Sequence, residues 1–422
     1  MRAAPLTWLL GFSDPTTGIG WNPRAGRAAH WRLGRMRALL QLAGEPDRGL
    51  RVVLVAGTKG KGSTAAFLVS ILHAAGIRAG LFSSPHLQTF RERVRIDGAM
   101  LSDAELARAI DRTRPLVARL RRDHPDAGEP TAFELTLLLG IRAFAERGCA
   151  VAVVEVGLGG RLDATNALDP EVSVITSISY DHTAILGRTL GAIATEKAGI
   201  VRRGRPALVA VQRPAAARAI ERVSRANGAA YGVVRPLGVH ADLGLGGDHQ
   251  RQNAGLAAAA ARALGIGDRA IADGLRTATW PARFERIRGR PAIVLDGAHN
   301  GASAEALARA LRQERGGRRL VVVVGINRDK DARAVIGPLA RLASAVIATR
   351  STSPRAADPA DVARAAARAA RAPVTTATGV PAALAAARAA AGPDGLVCVA
   401  GSLALAADAR TALGLPPSER WW

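Results

Sequence analysis

The segment Val53-Leu54-Val55-Ala56-Gly57-Thr58-Lys59-Gly60-Lys61-Gly62-Ser63-Thr64 constrains this chain more than any other. A strand-like apolar run ends in a glycine-rich turn, and the helix-compatible Thr64-Ala65-Ala66-Phe67-Leu68-Val69-Ser70-Ile71-Leu72 follows at once. Strand, turn and helix in that order open a βα unit whose helix N-terminus presents backbone N–H groups to an anion. Glycines let those groups converge on phosphate oxygens. Lys61 then reaches the β- and γ-phosphates as a point charge, and the Ser63 hydroxyl is placed to ligate magnesium. The spelling is G-x-x-G-K-G-[ST], shorter than the standard G-x-x-x-x-G-K-[ST], and points to one branch of ATP users. A plain Gly-rich surface turn would leave the order of strand, lysine, hydroxyl and helix unexplained.

Lysine usage adds weight. Of 58 Lys and Arg residues, only Lys59, Lys61, Lys197 and Lys330 are lysines, so an arginine-biased chain has kept lysine where a slim, flexible ammonium is needed. The 422 residues suggest two or three domains, and 48% apolar content supports full folding. A net charge of +23 would by itself suggest nucleic acid. Against that, the arginines are dispersed over Ala-rich helical patterns, aromatics are only 4%, and no basic tail is present. A compositional bias explains the charge, with an anionic substrate as a weaker second cause. Cys149 and Cys398 sit in apolar strand-like runs, which leaves neither a disulfide framework nor a zinc site. With no apolar stretch of membrane-span length and no signal-peptide core at Met1-Arg2-Ala3-Ala4-Pro5, the expectation is a cytoplasmic, monomeric protein without nucleic-acid or membrane partners.

Strand-like and helical patterns alternate along the chain. Residues 51–56 read as strand, 64–75 as helix and 78–83 as strand, a βαβ unit. Residues 102–122 read as one helix opened by the capping box Ser102-Asp103-Ala104-Glu105. A polar loop covers 123–130, a second helix 131–147 stops at Gly148, and 149–156 is an apolar run suited to a strand buried on both faces. Residues 172–177 and 207–211 read as further strands. The pattern breaks around Trp280 to Arg290, and a second α/β alternation follows, with strands at 292–295, 320–324, 345–349 and 396–400 and helices at 302–313, 360–372 and 381–391. The expected architecture is α/β: a P-loop ATPase-like domain on a mainly parallel sheet over 1–285, and a smaller Rossmann-like domain over 286–422.

The carboxyl ends of parallel strands are where such sheets bind ligands. There stand Glu155-Val156-Gly157-Leu158-Gly159-Gly160-Arg161-Leu162-Asp163-Ala164-Thr165-Asn166 and Ser177-Ile178-Ser179-Tyr180-Asp181-His182-Thr183, with Glu196-Lys197-Ala198-Gly199-Ile200 beyond. The bland alternatives are a buried Glu155–arginine pair and a structural His182. Together with Ser83-Ser84-Pro85-His86-Leu87, Trp280-Pro281-Ala282-Arg283-Phe284 and Asp296-Gly297-Ala298-His299-Asn300, these segments resemble the folylpolyglutamate synthases of the Mur ligase superfamily, in their order, from about residue 30 to 410.

The resemblance implies an ATP-dependent amide ligase that adds L-glutamate to a folate, and in many bacteria also to dihydropteroate, through an acyl phosphate. It implies that Gly57, Thr58, Gly60, Lys61, Gly62, Ser63 and Thr64 hold the triphosphate. Asn253 and His299 would make further nucleotide contacts, Arg283 a phosphate contact and Asp296 a ribose contact. One magnesium falls to Ser63 or Ser84 with Glu155, and a second to His182 with Lys197, which matches the family lysine that becomes carbamylated. Thr131, Phe133, Asp163 and Ala164 match positions that hold the pterin. Four features depart from the pattern: Lys59 stands where the family usually shows Asn, Ala282 replaces a usual Gly as a minor change, Gly401-Ser402-Leu403-Ala404-Leu405 lacks an aromatic, and the stretch to Ala29 matches poorly. Lys330, in Asn327-Arg328-Asp329-Lys330-Asp331, reads equally well as a family-like motif or a solvated turn. The competing functions are another Mur-type ligase, acting on a peptidoglycan precursor or cyanophycin, and a basic P-loop ATPase that binds nucleic acid.

Overall fold

A computed structural model describes residues 3–13 and 33–421, so most of the poorly matching N-terminal stretch lies outside the described residues. Among the described residues, fourteen strands form two sheets. The first, of eight strands, is built from β1 (Arg51–Ala56), β2 (Ala79–Phe82), β3 (Val94–Ile96), β4 (Ala99–Met100), β5 (Val151–Glu155), β6 (Pro170–Ile175), β7 (Pro206–Ala210) and β8 (Ala230–Val234). Its order is β4-β3-β2-β5-β1-β6-β7-β8, parallel except for the β2–β3 and β3–β4 pairs. The second contains β9 (Glu285–Ile287), β10 (Ala292–Leu295), β11 (Leu320–Val324), β12 (Ala345–Ala348), β13 (Val374–Thr376) and β14 (Leu396–Ala400), in the order β13-β12-β11-β14-β10-β9, with only β9 antiparallel.

The central strands follow from their composition. All residues of β5 and β11 are buried, because helices cover both faces of each sheet and only continuous Val-rich runs satisfy both. On one face of the large sheet the helix Lys61–Ala74 packs against His249–Ala263 and Asp268–Thr277; on the other lie Leu33–Leu42, Ala132–Glu146, Leu190–Ala198 and Pro214–Ala226. The last group shares a buried ion pair, Arg35 Nε to both Glu134 oxygens at 3.0 Å, which pins Leu33–Leu42 to Ala132–Glu146.

Two expectations need correction. The helix over 102–122 is two helices, Asp103–Asp111 and Arg114–Asp123. The Ser102–Glu105 capping box is present, but Pro115 lacks an N–H and starts a new helix, while Thr113 Oγ1 donates back to Ala109 O at 2.9 Å. The helix expected over 360–372 spans only Pro359–Ala367. Among the described residues no helix is long and apolar enough to cross a membrane.

Candidate active site

The glycine-rich turn lies at the carboxyl end of β1, between β5 and β6. Gly60 takes φ 92°, and a Cβ there would collide with the Asn253 amide, so only glycine lets the turn pass beneath the helix His249–Ala263. Asn253 is held in place by donating to Gln250 Oε1 at 2.8 Å, and Gln250 Nε2 donates to Ser63 Oγ at 3.3 Å. Thr58 ties the turn to the loop after β6, donating to Ser179 O at 3.2 Å and accepting from Ser179 N at 3.1 Å. Thr64 is buried one turn into the helix.

At the end of β5, Glu155 faces Lys61 Nζ at 3.9 Å and accepts from Ser84 N at 3.2 Å. Burial raises its carboxyl above the usual range, against the opposing pull of Lys61, the Ser84 amide, Arg283 and Arg93. The partner is thus a lysine of the turn, and the arginines act only at longer range. A cleft opens here, lined by Gly62, Ser84, Glu155, Trp280, Arg283 and Leu403 among others.

Lys197, in the helix Leu190–Ala198, is buried and donates to Gly57 O at 3.0 Å; the same carbonyl accepts from Lys61 at 3.3 Å. Burial, with Lys61 adding to it, pushes the Lys197 ammonium down to about 7. His182 holds a left-handed φ of 49°, and burial lowers its pKa despite Asp181. A neutral imidazole results, as metal ligation requires. Lys330, on the loop after β11, pairs with Asp329 at 3.0 Å and adds to the positive field at Asp181 and His182. Lys61 and Lys197 thus share the Gly57 carbonyl at the turn, and Lys59 pairs with Asp181 beside it.

The residues matched to the pterin gather on the far side of the β5 turn. A Cβ on Gly157 would lie 2.7 Å from Phe133 Cζ and 3.1 Å from Asp163 Oδ2, so ring and acid meet over a bare backbone. Asp163 is already committed: it accepts from Leu158 N at 2.9 Å and from Thr165 N and Oγ1 at 3.0 and 2.6 Å, directly before Ala164. Thr131 caps the helix Ala132–Glu146 and donates to Glu134 at 3.0 Å.

The second sheet supplies Asp296 at the end of β10. Its oxygens accept from Phe284 N and Ala298 N, each at 2.8 Å, and burial raises its carboxyl, opposed by Arg283. His299 is close by, with Nδ1 2.8 Å from Gly297 O and Nε2 3.4 Å from Lys59 Nζ.

Sequence reasoning missed several participants. Lys59 pairs with Asp181 at 3.0 Å; Gln250 buttresses Ser63; Arg93 donates to His86 Nδ1 at 2.9 Å. Trp421 packs edge-on against Trp280 with centroids 5.2 Å apart, while Arg95 lies 4.4 Å over the Trp421 ring and donates to Ser418 O. Only the excess charge at Lys59 was visible beforehand.

Two family profiles match the chain: Mur ligase middle domain over residues 55–234, and Mur ligase, glutamate ligase domain, over 282–403. A Bacillus subtilis dihydrofolate synthase/folylpolyglutamate synthase is 37% identical, across 77% of this chain and 82% of the relative. The chain spans 48% of a Halobacterium salinarum probable bifunctional folylpolyglutamate synthase/dihydropteroate synthase, at 38% identity over 88% of its own length. Among solved structures, Mycobacterium tuberculosis folylpolyglutamate synthase complexed with ADP superposes with a TM-score of 0.86, 31% identity and 99% coverage of both chains. Escherichia coli FolC in complex with DHPP and ADP gives 0.84, 30%, and 99% and 98%.

Proposed function

The chain belongs to the folylpolyglutamate synthase/dihydrofolate synthase family of Mur ligases, and from that premise we infer that it is an ATP-dependent carboxylate–amine ligase adding L-glutamate to a folate. One observation carries the reading to this site: Lys61 and Glu155 face each other where β1 and β5 end, beside a buried lysine whose proton is loosely held.

A carboxylate is a poor electrophile, so one of its oxygens first attacks the γ-phosphorus of ATP and ADP leaves. Lys61, the N–H groups of the turn and Arg283 offset the charge on the phosphates. The glutamate nitrogen then attacks the acyl carbon, the amide C–N bond forms, phosphate leaves, and the surplus amine proton passes to phosphate or solvent. Positioning and neutralisation suffice; no side-chain nucleophile is needed. Phe133 and Asp163 meet over Gly157 as a seat for the pterin ring, with Thr131 and Ala164 at its edge. The same sequence applied to dihydropteroate would make dihydrofolate, and we extend the reading to both acceptors. Buried, free Cys149 and Cys398 accord with a cytoplasmic enzyme.

The donor set suits magnesium. No group of three or more His, Cys, Asp or Glu side chains forms a cage among the described residues, and one carboxylate with hydroxyls is what an ion that keeps waters and substrate phosphates requires. Ser63 or Ser84 with Glu155 would hold one ion, and His182 with a carbamylated Lys197 a second. Bound there, magnesium would neutralise phosphate oxygens during transfer. Lys197 is suited to adding CO2: its pKa of about 7 leaves a large share of its amines neutral at pH 7, whereas an ordinary lysine leaves roughly one in a few thousand.

The test is ADP release measured with glutamate present and absent, with tetrahydrofolate and dihydropteroate supplied separately. Turnover that needs both glutamate and a pteroyl acid is expected. ATP hydrolysis indifferent to glutamate, with salt-sensitive retention on DNA, would end the ligase reading.

A further inference from the structure

Lys59 adds a charge where the family resemblance calls for an uncharged amide, and its surroundings show where that charge goes. The backbone of Lys59 is fixed first: its N–H donates to Ser177 O at 3.3 Å, and Ser177 Oγ donates to Lys59 O at 3.2 Å. The side chain then extends to the second domain. Lys59 Nζ donates to Asp181 Oδ2 at 3.0 Å and lies 3.4 Å from His299 Nε2.

The acceptors are well defined. Burial, with Lys59 adding to it, pushes His299 down to about 3, so its ring is neutral; Nδ1–H donates to Gly297 O and Nε2 is left to accept from Lys59. Asp181 Oδ2 also accepts from Asn300 Nδ2 at 3.3 Å. Asn300 cannot turn away, because its own Oδ1 accepts from Ser303 N at 3.1 Å as the N-cap of the fifteen-residue helix Gly301–Arg315.

We propose that Lys59 is a positioning residue that clamps the phosphate turn to the small-sheet domain through Asp181, His299 and Asn300. The clamp holds the ATP cleft closed with bonds between the protein's own groups. It rests on the ligase reading only in taking this cleft as the nucleotide site. Asp181 is the hub, since one oxygen, Oδ2, accepts from both Lys59 Nζ and the Asn300 cap of the helix Gly301–Arg315. A closed cleft binds nucleotide without first drawing on binding energy to bring the halves together, so loosening it lowers apparent affinity by the fraction of closed molecules lost.

The experiment uses the full chain in four forms: wild type, Lys59→Asn, Asp181→Asn and the double variant. Small-angle scattering without nucleotide reads closure, and calorimetry with Mg-ADP reads affinity. Each single variant should enlarge the radius of gyration and weaken ADP binding about tenfold, with the double variant no worse than either single one. Saturating ADP should restore wild-type compactness in all of them. Asp181→Asn makes the test sharp. If Lys59 were only a charge for the phosphates, removing its counterion would tighten ADP binding; the clamp requires weaker binding. Tighter binding in Asp181→Asn, or unchanged dimensions in both single variants, overturns the proposal. If Lys59→Asn fails to fold, Asp181→Asn and Lys59→Arg carry the same comparison, with Arg expected to keep most of the closure. A wild type that does not couple ATP to glutamate would end the ligase reading and leave the scattering result to stand or fall by itself.

Discussion

The two sheets use the same geometry differently. Both place ligand-facing residues at the carboxyl ends of parallel strands. At the large sheet these are buried ionisable groups opposed mainly by one another: Glu155 against Lys61, and Lys197 on a backbone carbonyl, with burial displacing their proton affinities. At the small sheet the one deeply buried acid, Asp296, is met by two backbone N–H groups and serves to shape its loop. On the proposed function, the large-sheet edge carries the chemistry and the small-sheet edge the grip on the nucleotide. The difference predicts that losses at the first appear in kcat and losses at the second in nucleotide affinity.

The hardest test of that division is Lys61→Ala. On the proposed mechanism, removing the Lys61 cation should lower kcat by at least roughly a thousandfold while the melting temperature stays near wild type. Near-normal turnover in a folded variant would remove the turn from the chemistry.

Lys197 comes next. Lys197→Ala should cost roughly a hundredfold in kcat, with partial recovery in bicarbonate or a short carboxylic acid filling the vacated anionic position. Lys197→Arg should stay inactive, because a guanidinium keeps its proton and cannot add CO2. Stability gives a second reading. Folding lowers this pKa from 10.5 to about 7, so between those values the unfolded chain binds more protons than the folded one, and in CO2-free buffer stability should rise with pH across that window. Lys197→Met should flatten the rise. A fully active Arg variant would show an ordinary structural lysine.

At the small sheet, Asp296→Asn turns one acceptor into a donor facing a backbone N–H, at a cost of about 1–3 kcal/mol in loop order. The KM for ATP should rise about tenfold with kcat within a few-fold. A kcat loss as deep as that of Lys61→Ala would dissolve the distinction between the two edges.

What was legible in the sequence divides along the same line. β1, β5, β10, β11 and β14 are continuous apolar runs buried on both faces, and their ends carry Gly57, Glu155 and Asp296 in compact motifs. The short strands β3, β4, β9 and β13 have two or three residues and no period to detect. The break at Thr113 was hidden because Arg114-Pro115-Leu116 continues the helical spacing of apolar residues while the proline interrupts its hydrogen bonds. Contacts made by folding were beyond reach: Lys59 and Asp181 are 122 residues apart, and Arg35 and Glu134 are 99 apart. Each looks like a surface charge until its partner is known.

The smallest effect tests a substitution that the sequence alone made look minor. Ala282 has φ 56° and is wholly buried, in the strand-less turn that leads into β9. It cannot relax, because its N–H donates to Glu285 Oε2 at 2.8 Å and its carbonyl accepts from Gly297 N at 2.9 Å. The left-handed conformation costs an alanine about 1–2 kcal/mol, whereas a glycine there brings an unfolded chain richer in conformations by about 0.4–1 kcal/mol. The strain is the larger quantity, so Ala282→Gly should stabilise the protein by about 0.5–1 kcal/mol, a rise of one to a few degrees by calorimetry. The ATP KM should stay within about twofold, since neither backbone bond is lost. A lower melting temperature would mean that the packing of the buried methyl outweighs the backbone strain, and that grip at the small-sheet edge depends on side-chain contacts as well as on its amides.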